Sequence, residues 1–461
     1  MSTIELENKR LALLGLGVEN RGLATYLSSI GLSFSVCDER QPGERAAAGT
    51  GALAIDEWRL GPGCLNHLDD FDIVFRTPGL PAGNPQLQVA SQAGTQISSQ
   101  TALFFDRCPA PILGITGTKG KGTTASLAAL MLQADSAYDS VKLGGNIGIP
   151  PVEFLPQLSA RDLVVLELSS FQLQDLQASP SIAVVLNLLT DHLDYHANRQ
   201  EYVEAKQSIY RHQRRDDWLI INADSNETAA LASMSAASTL SFSIEGEVTA
   251  GAWVEDEAIF HRAPQGQAEQ VCGLESIALH GSHNLANVAA ATTAALAAGG
   301  SVAGAAQGLR EFSGLPYRLQ KVAQREGISF YNDSAATTPD AAIAAIRSFD
   351  APILLIAGGA SKGAQFGEFA RAIATSPVRV LILMGQERER IAAEVAKTAS
   401  FSGEVVSVEH GMKEAVAAAL LRGRQGDVVL LSPGCASFGL FDNYVARGSA
   451  FSELVSATEQ R

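Results

Sequence analysis

Short apolar runs that end in glycine-rich or polar turns recur along the chain and set its architecture. Leu11-Ala-Leu-Leu14 reads as a strand, Gly15-Leu-Gly17 as a turn, Leu23–Ile30 as a helix and Phe34-Ser-Val-Cys-Asp38 as a second strand. Ile73-Val-Phe then leads into a loop at Thr77-Pro-Gly79. Leu163-Val-Val-Leu-Glu-Leu168 and Ile182-Ala-Val-Val-Leu-Asn187 are nearly all apolar, as parallel strands covered on both faces require. Beyond Gly314-Leu-Pro316 the alternation returns in Ile353-Leu-Leu-Ile-Ala, Val380-Leu-Ile-Leu-Met and Val428-Val-Leu-Leu-Ser. With 461 residues the chain exceeds one core. The pattern predicts an α/β protein of three domains, each a mostly parallel sheet with helices on its faces. The expected spans are 1–107, 108–315 and 316–461, Rossmann-like at both ends with a P-loop ATPase fold between, and Pro109-Ala-Pro111 is the first linker.

Ile112-Leu-Gly-Ile-Thr-Gly-Thr-Lys-Gly-Lys-Gly-Thr-Thr124 sets an apolar strand directly before a glycine-rich turn and a helix start. Gly117 and Gly120 let backbone N–H groups turn inward around Thr118 and Lys119, Lys121 can reach phosphate oxygens, and the helix starting near Gly122 aims its positive end at the anion. The usual pattern is G-x-x-x-x-G-K-[ST], so Gly122 stands where a hydroxyl normally ligates Mg²⁺, and Thr123 or Thr124 is the candidate replacement. A tight strand-to-helix turn without a ligand is the plainer alternative. Near the N-terminus Gly15-x-Gly17 is an imperfect dinucleotide fingerprint, followed by Asn20 and Gly22, although Asp38 sits at a strand end where it could accept ribose hydroxyls. A nicotinamide cofactor is a minor option.

Charge narrows the choice. The formal net charge is −15, from 34 basic and 49 acidic residues, which excludes the broad basic surface of a nucleic-acid binder. An anionic substrate must therefore meet local positive sites. Apolar residues make up 46% of the chain, ample for buried cores, and no run of 18 uncharged apolar residues occurs. Met1-Ser-Thr-Ile-Glu-Leu-Glu-Asn-Lys9 has no apolar signal core, so the expectations are no membrane contact and a cytoplasmic location. Five scattered cysteines without a C-x-x-C pair point to reduced thiols, not to disulfides or zinc.

Chemistry-bearing residues gather at strand ends, where α/β sheets place their sites. Glu167 ends an apolar strand, and a buried carboxylate there calls for a cation such as Mg²⁺. Thr190-Asp-His-Leu-Asp-Tyr-His196 follows the next strand, with His192 able to ligate a metal or polarise a phosphate; Lys206 lies on a helix beyond. Taken singly, a solvated acid, a surface ion pair and an ordinary helix lysine are the plain readings of Glu167, His192 and Lys206. Asn332-Asp-Ser-Ala-Ala-Thr-Thr338 precedes a helix opened by Pro339-Asp340, and Lys362 and Ser432-Pro-Gly-Cys-Ala-Ser-Phe438 add further strand-end contacts. Arg318, near the domain border, could reach phosphates.

Taken in order, T-G-T-K-G-K at 116–121, G-G-N-I-G at 144–148, L-E-L-S-S-F-Q at 166–172, D-H-L-D at 191–194, G-S-H-N at 281–284, N-D-S at 332–334 and S-P-G-C-A-S-F at 432–438 resemble the Mur ligase family. These are ATP-dependent amide-bond ligases that build the peptide stem of peptidoglycan, and the resemblance spans all three domains. L-S-S-F-Q and S-P-x-C-A-S-F are most similar to members that add glutamate to UDP-N-acetylmuramoyl-L-alanine. The resemblance implies small-molecule substrates, ATP with two Mg²⁺ ions, and a monomer. It implies that the loop from Gly117 to Thr123 binds ATP, with Lys121 on the phosphates, and that Glu167 and His192 hold the metals, Thr123 assisting. Lys206 would be carbamylated; CO₂ reacts only with a neutral amine, so desolvation must depress that lysine's pKa, and the carbamate then holds a metal. Asn284, Arg318 and Asp333 would contact the adenine, phosphate and ribose of ATP. Asp38, Arg40, Thr77 and Gly79 would hold the uridine diphosphate and Asn146 the sugar–peptide part. Thr337, Lys362, Ser437 and Phe438 would receive glutamate, with Ser169 and Tyr444 as further substrate contacts.

The implied mechanism activates the substrate carboxylate on the γ-phosphate, and glutamate's amino group intercepts the acyl-phosphate. Several positions depart from the family pattern: Gly122 for Ser or Thr, Lys119 for Asn, Ala335 for Lys, Gly439 for Asp and Tyr444 for Phe. Three of these lie near the implied amino-acid pocket, so an L-glutamate-adding variant stands beside the expected D-glutamate enzyme. A nucleotide-dependent switch without an amide product, and a dehydrogenase built on the first domain, are the alternatives from other classes.

Overall fold

Parallel pairing dominates the computed structural model, which describes residues 4–40, 53–189, 195, 196, 198–279, 281–360, 364–398 and 400–457. The first sheet contains β1 (Leu11–Leu14), β2 (Phe34–Asp38), β3 (Ile55–Leu60), β4 (Ile73–Arg76) and β5 (Gln96–Ser99). Its order is β3-β2-β1-β4-β5 and every pairing is parallel. β1, β2 and β4 are buried along their whole length, the consequence of helices on both faces. The edge strand β3, Ile-Asp-Glu-Trp-Arg-Leu, is half-exposed and polar, which is why its apolar signal is weak in the sequence.

The central sheet comprises β6 (Ile112–Thr116), β7 (Val141–Gly145), β8 (Leu163–Glu167), β9 (Ile182–Val185), β10 (Trp218–Asn222), β11 (Ser238–Ser243), β12 (Gly251–Glu255), β13 (Ala258–Arg262) and β14 (Ala268–Gly273). Its order is β14-β13-β12-β11-β10-β9-β6-β8-β7, antiparallel only in the β12–β14 meander. β6 thus lies between β8 and β9, whose connections leave in opposite directions, and the crevice beyond such strand ends is where α/β sheets bind ligands. The third sheet is built from β15 (Gln320–Arg325), β16 (Ile328–Asn332), β17 (Ile353–Gly358), β18 (Val378–Met384), β19 (Glu404–Ser407) and β20 (Val428–Leu431), ordered β15-β16-β20-β17-β18-β19.

The chain divides into two compact units: Met1–Ile277 with Ser282–Phe312, and Ala278–Gly281 with Ser313–Arg461. The first two sheets share one unit because a continuous apolar core joins them, running from Leu13 and Phe75 through Phe104 and Phe154 to Val164, Leu166 and Leu219. Phe104 and Phe154 meet edge to face at 5.8 Å, and each fully buried large apolar side chain of this kind contributes about 1.5–3 kcal/mol. No helix among the described residues is long and apolar enough to cross a membrane. The five cysteines are free thiols, all buried except the half-buried Cys108.

The first helix spans Val18–Ser29, earlier than the apolar signal at Leu23. Asn20 explains the difference: it is fully buried, and its amide donates to the carbonyls of Leu14 at 2.9 Å and Gly15 at 3.0 Å. A polar residue that looks like loop thereby anchors the helix start to the end of β1.

Gly145 ends β7 at φ +100°, and a Cβ there would fall 2.2 Å from the Glu167 carbonyl oxygen. Gly31 has φ +80° with open space around it. Gly145→Ala should therefore lower unfolding free energy by more than about 2 kcal/mol, and Gly31→Ala by only about 1 kcal/mol. Urea denaturation of the two variants side by side checks this, and equal losses would contradict the crowding at β7.

Candidate active site

The turn after β6 is shaped by two glycines and two distant asparagines. Gly120 caps the helix Lys121–Gln133 in the left-handed region at φ +88°, and a Cβ on it would lie 2.2 Å from Asn287 Oδ1. A Cβ on Gly117 would press on Leu186 at 2.9 Å. Asn187, just past β9, satisfies the loop backbone: its Oδ1 accepts from the amides of Thr118 and Lys119, both at 2.9 Å, and its Nδ2 donates to the Lys119 carbonyl at 3.0 Å. Lys121 curls back, Nζ donating to the carbonyls of Gly117 and Thr118 at 3.0 Å each. Lys119 is exposed.

The buried Lys206, 2% exposed, reaches the same loop from the helix Arg199–Arg211. Its Nζ donates to the Gly117 carbonyl at 2.9 Å and the Thr116 hydroxyl at 3.3 Å and sits 4.7 Å from the Tyr202 ring centroid. Tyr202 in turn shares a 2.8 Å hydroxyl contact with Thr118. Of the two hydroxyls offered near Gly122, that of Thr124 is buried and points to Asn287 Oδ1 at 3.4 Å, whereas Thr123 is half-buried in the first helical turn. Asn287 also donates to Asn284 Oδ1 at 3.2 Å, which places Asn284 beside the brace of the phosphate turn.

Glu167 ends β8, paired in register with Ile115 of β6, and is 6% exposed. Asn146 holds it, Nδ2 donating to Oε1 at 2.7 Å, and the Asn146 amide donates to the Glu167 carbonyl at 2.8 Å. Ser169 caps the short helix Ser170–Leu173 in a capping box with Gln172. Gln172 then donates to Glu19 of the first helix at 2.7 Å, tying the two sheets together. His192 and Lys362 lie outside the described residues.

At the first sheet a cavity of about 230 Å³ opens beyond the ends of β1, β2 and β4, lined by Gly15, Asp38, Thr77, Gly79 and Leu80 among others. Asp38 accepts the Leu16 amide at 2.9 Å and the Arg40 guanidinium at 2.6 and 2.9 Å. The bonds from Arg40 outweigh partial burial and hold this carboxyl down at about 2. Three of the four residues expected to hold uridine diphosphate thus line one cavity, and Arg40 is bound to one of them.

The C-terminal unit gathers Asp333, Ser432, Ser334 and Arg447. Ser432 donates to Asp333 Oδ2 at 2.7 Å and the Leu319 amide to Oδ1 at 3.2 Å. Arg447, 1% exposed, donates to the Ser334 hydroxyl and carbonyl at 3.0 and 2.8 Å and to the Cys435 carbonyl at 3.0 Å. It thereby locks the N-D-S loop to the S-P-G-C-A-S-F loop. Arg318 is exposed but close enough to act on the charge of Asp333. Ser437 is buried, Thr337 half-buried, and Phe438 and Tyr444 are exposed.

Two family profiles match the chain: the Mur ligase middle domain over residues 115–295 and the Mur ligase glutamate ligase domain over 317–435. A UDP-N-acetylmuramoylalanine--D-glutamate ligase from Symbiobacterium thermophilum is 39% identical over 465 residues, covering 99% of this chain and 100% of that protein. A second ligase of the same name, from Roseiflexus sp., is 38% identical and covers 98% and 100%. The chain belongs to the Mur ligase family. Among solved structures, a UDP-N-acetylmuramate-alanine ligase from Thermotoga maritima superposes with a TM-score of 0.59 at 17% identity, over 98% of this chain and 100% of the other. A MurF ligase from the same organism, solved with ADP, gives 0.56 at 16%, over 99% and 97%. These likenesses show that the three-sheet fold is the Mur ligase fold.

In this Mur ligase several contributors escaped the sequence reading. Asn187, Asn287, Tyr202 and Arg447 carry no motif by themselves and act through partners far along the chain, while Asn20 serves the carbonyls of Leu14 and Gly15 close by. The one available signal was Asn187 closing an apolar strand, a costly place for an amide without backbone to bind.

Burial outweighs the hydrogen bonds and the nearby Arg318 and Arg447 at Asp333, pushing its carboxyl up from 3.8 to about 7. A raised folded-state value means that the protonated form stabilises the fold below about pH 4 and that this contribution is lost as pH rises towards 7. Urea midpoints of the wild type should therefore fall between pH 4 and 7.5 relative to Asp333→Asn, which cannot ionise. Parallel profiles would show that Asp333 does not titrate in this window.

Proposed function

We propose that this Mur ligase joins D-glutamate to the terminal carboxylate of UDP-N-acetylmuramoyl-L-alanine, driven by ATP, in peptidoglycan precursor synthesis. The observation that carries the reading is the convergence of Lys121 and Lys206 on the Gly117 carbonyl, one strand away from Glu167. A lysine cation, a buried amine that carbamylation would turn into a metal-binding anion, and a buried acid around a glycine turn are groups a metal–triphosphate site can use. End-to-end similarity to glutamate ligases favours ligation over the switch and dehydrogenase alternatives.

The residues fit ATP. Gly117 and Gly120 let the turn pack against Leu186 and Asn287, where a Cβ would collide, and the first amides of the helix Lys121–Gln133 form a positive end for phosphate oxygens. Lys121, now on loop carbonyls, exchanges them for β- and γ-phosphate oxygens. Lys119 adds a second cation from the exposed side of the turn, and Asn284 and Arg318 with Asp333 take the nucleoside end and a phosphate.

Magnesium fits the same place: Glu167 offers a carboxylate steadied by Asn146, with Thr123 and His192 as further ligands. When bound, the metal supplies positive charge that offsets the transferring phosphoryl group. Lys206 is proposed to be carbamylated: its buried amine lies against the phosphate turn, where a carbamate formed with CO₂ would set an anion for a metal.

The substrate enters with its uridine end in the cavity lined by Asp38, Thr77 and Gly79, with Arg40 held on Asp38 beside it, and its lactyl-alanine end near Asn146 and Ser169. The carboxylate oxygen attacks the γ-phosphorus as the bond to ADP breaks. The amino group of glutamate, received by Thr337, Lys362, Ser437, Phe438 and Tyr444, then attacks the acyl carbon. Phosphate leaves and the nitrogen loses a proton, giving ADP, phosphate and an amide.

Phosphate release should require UDP-N-acetylmuramoyl-L-alanine, Mg²⁺ and D-glutamate together; turnover indifferent to the amino acid, or equal with L-glutamate, would overturn the assignment. Lys121→Ala should lower kcat by about 10²–10³-fold, the usual loss on removing one group that stabilises developing charge. Lys206→Ala should fall comparably and recover in part with added formate or acetate. A variant as active as the wild type would remove Lys206 from the metal shell.

A further inference from the structure

Arg76, the last residue of β4, is 1% exposed and spends every donor of its guanidinium on a network that crosses between the first two sheets. Nε and Nη2 hold the two oxygens of Asp175 at 3.2 and 2.5 Å, and Nη2 also reaches the Phe171 carbonyl at 3.2 Å. Nη1 donates to the Tyr195 hydroxyl at 2.8 Å and to the Leu80 carbonyl. Tyr195 closes the circuit, its hydroxyl donating to that same Leu80 carbonyl at 3.1 Å.

The partners divide into two groups. Thr77, Gly79 and Leu80, which directly follow Arg76, wall the cavity at the first sheet. Phe171 and Asp175 lie in or just after the helix Ser170–Leu173, which leaves β8 directly after Glu167 and Ser169. The pair is deep, and burial outweighs even Arg76 in pushing the Asp175 carboxyl above its ordinary range. Such a pair is weak support for stability, since apolar residues of the same volume often do as well. What it supplies is a bidentate, planar link of fixed geometry.

We propose that Arg76 is a positioning residue that fixes the wall of the first-sheet cavity to the segment carrying Glu167 and Ser169, holding the two ends of one long substrate in register. The inference rests on the reading of that cavity as the uridine diphosphate site. A substrate anchored at one end and reacting at the other depends on the rigidity of what lies between, because a misplacement near 1 Å can cost about 10²-fold in rate. Binding at either end alone does not depend on that link.

The test uses the full-length chain with Arg76→Lys, which keeps the charge but loses the fork, and Tyr195→Phe, which removes only the hydroxyl bridge. Calorimetric binding of uridine diphosphate alone and of a non-hydrolysable ATP analogue alone is compared with steady-state kinetics and thermal unfolding. Both ligands should bind each variant within about twofold of wild type. The kcat of Arg76→Lys should fall by at least about tenfold and that of Tyr195→Phe by about threefold, with KM for UDP-N-acetylmuramoyl-L-alanine little changed. If Arg76→Lys fails to fold, Tyr195→Phe decides alone. Folded variants with wild-type kcat overturn the inference, as does a kcat loss matched by an equal loss of uridine diphosphate affinity, which would make Arg76 only a support of the cavity wall. Wild-type protein that ignores uridine diphosphate instead removes the cavity reading on which the inference stands.

Discussion

A lysine amine in a protein interior must find oxygen, and the site is organised around the oxygens that Lys206 finds. The side chain is almost fully buried, and its partners are the last hydroxyl of β6 and the first carbonyl of the glycine turn. That bond requires the turn to present a carbonyl inward, which requires Gly117 to take a conformation free of a Cβ, and the helix behind it then starts at Lys121 with its own amine on the same carbonyl. Strand, turn and two helices are therefore specified together. Changing one member exposes a buried polar group elsewhere, at a cost of about 1–3 kcal/mol for each unpaired atom.

The same economy governs the C-terminal unit with the charges reversed. There a buried carboxyl, Asp333, is surrounded by hydroxyl and amide donors, and the buried Arg447 spends its donors on backbone and hydroxyl oxygens. Two strand-end loops are fixed by one side chain from the last helix. The sheet provides a platform, while cross-loop polar bonds determine where the loop atoms lie.

This division explains what could be read from the sequence. The buried strands of parallel sheets are apolar almost throughout, and the phosphate turn is a local string of glycines and lysines, so both are legible from neighbours along the chain. The β12–β14 meander is short and one-sided, and β14 is exposed over its first half, so its period is faint. The braces are less legible still. Asn187 lies 69 residues from the Thr118 amide it accepts, Arg76 lies 99 from Asp175, and Arg447 lies 113 from Ser334. A buried asparagine or arginine has the same letter as an exposed one, and only folding reveals which carbonyl it serves. Glu167 and Lys206 lie between these cases: their plain readings as solvated surface groups fail because both prove to be buried.

Asn187 binds the phosphate turn through both faces of one amide, oxygen towards two N–H groups and nitrogen towards a carbonyl. Only a group that accepts on one side and donates on the other can do this. Hydrolytic deamidation to aspartate would leave the accepting side intact and place a negative oxygen against the Lys119 carbonyl, inside a loop built to receive negative phosphate. A chemical ageing event that adds less than one dalton would thus oppose the ligand electrostatically while releasing one of the bonds that fix the turn.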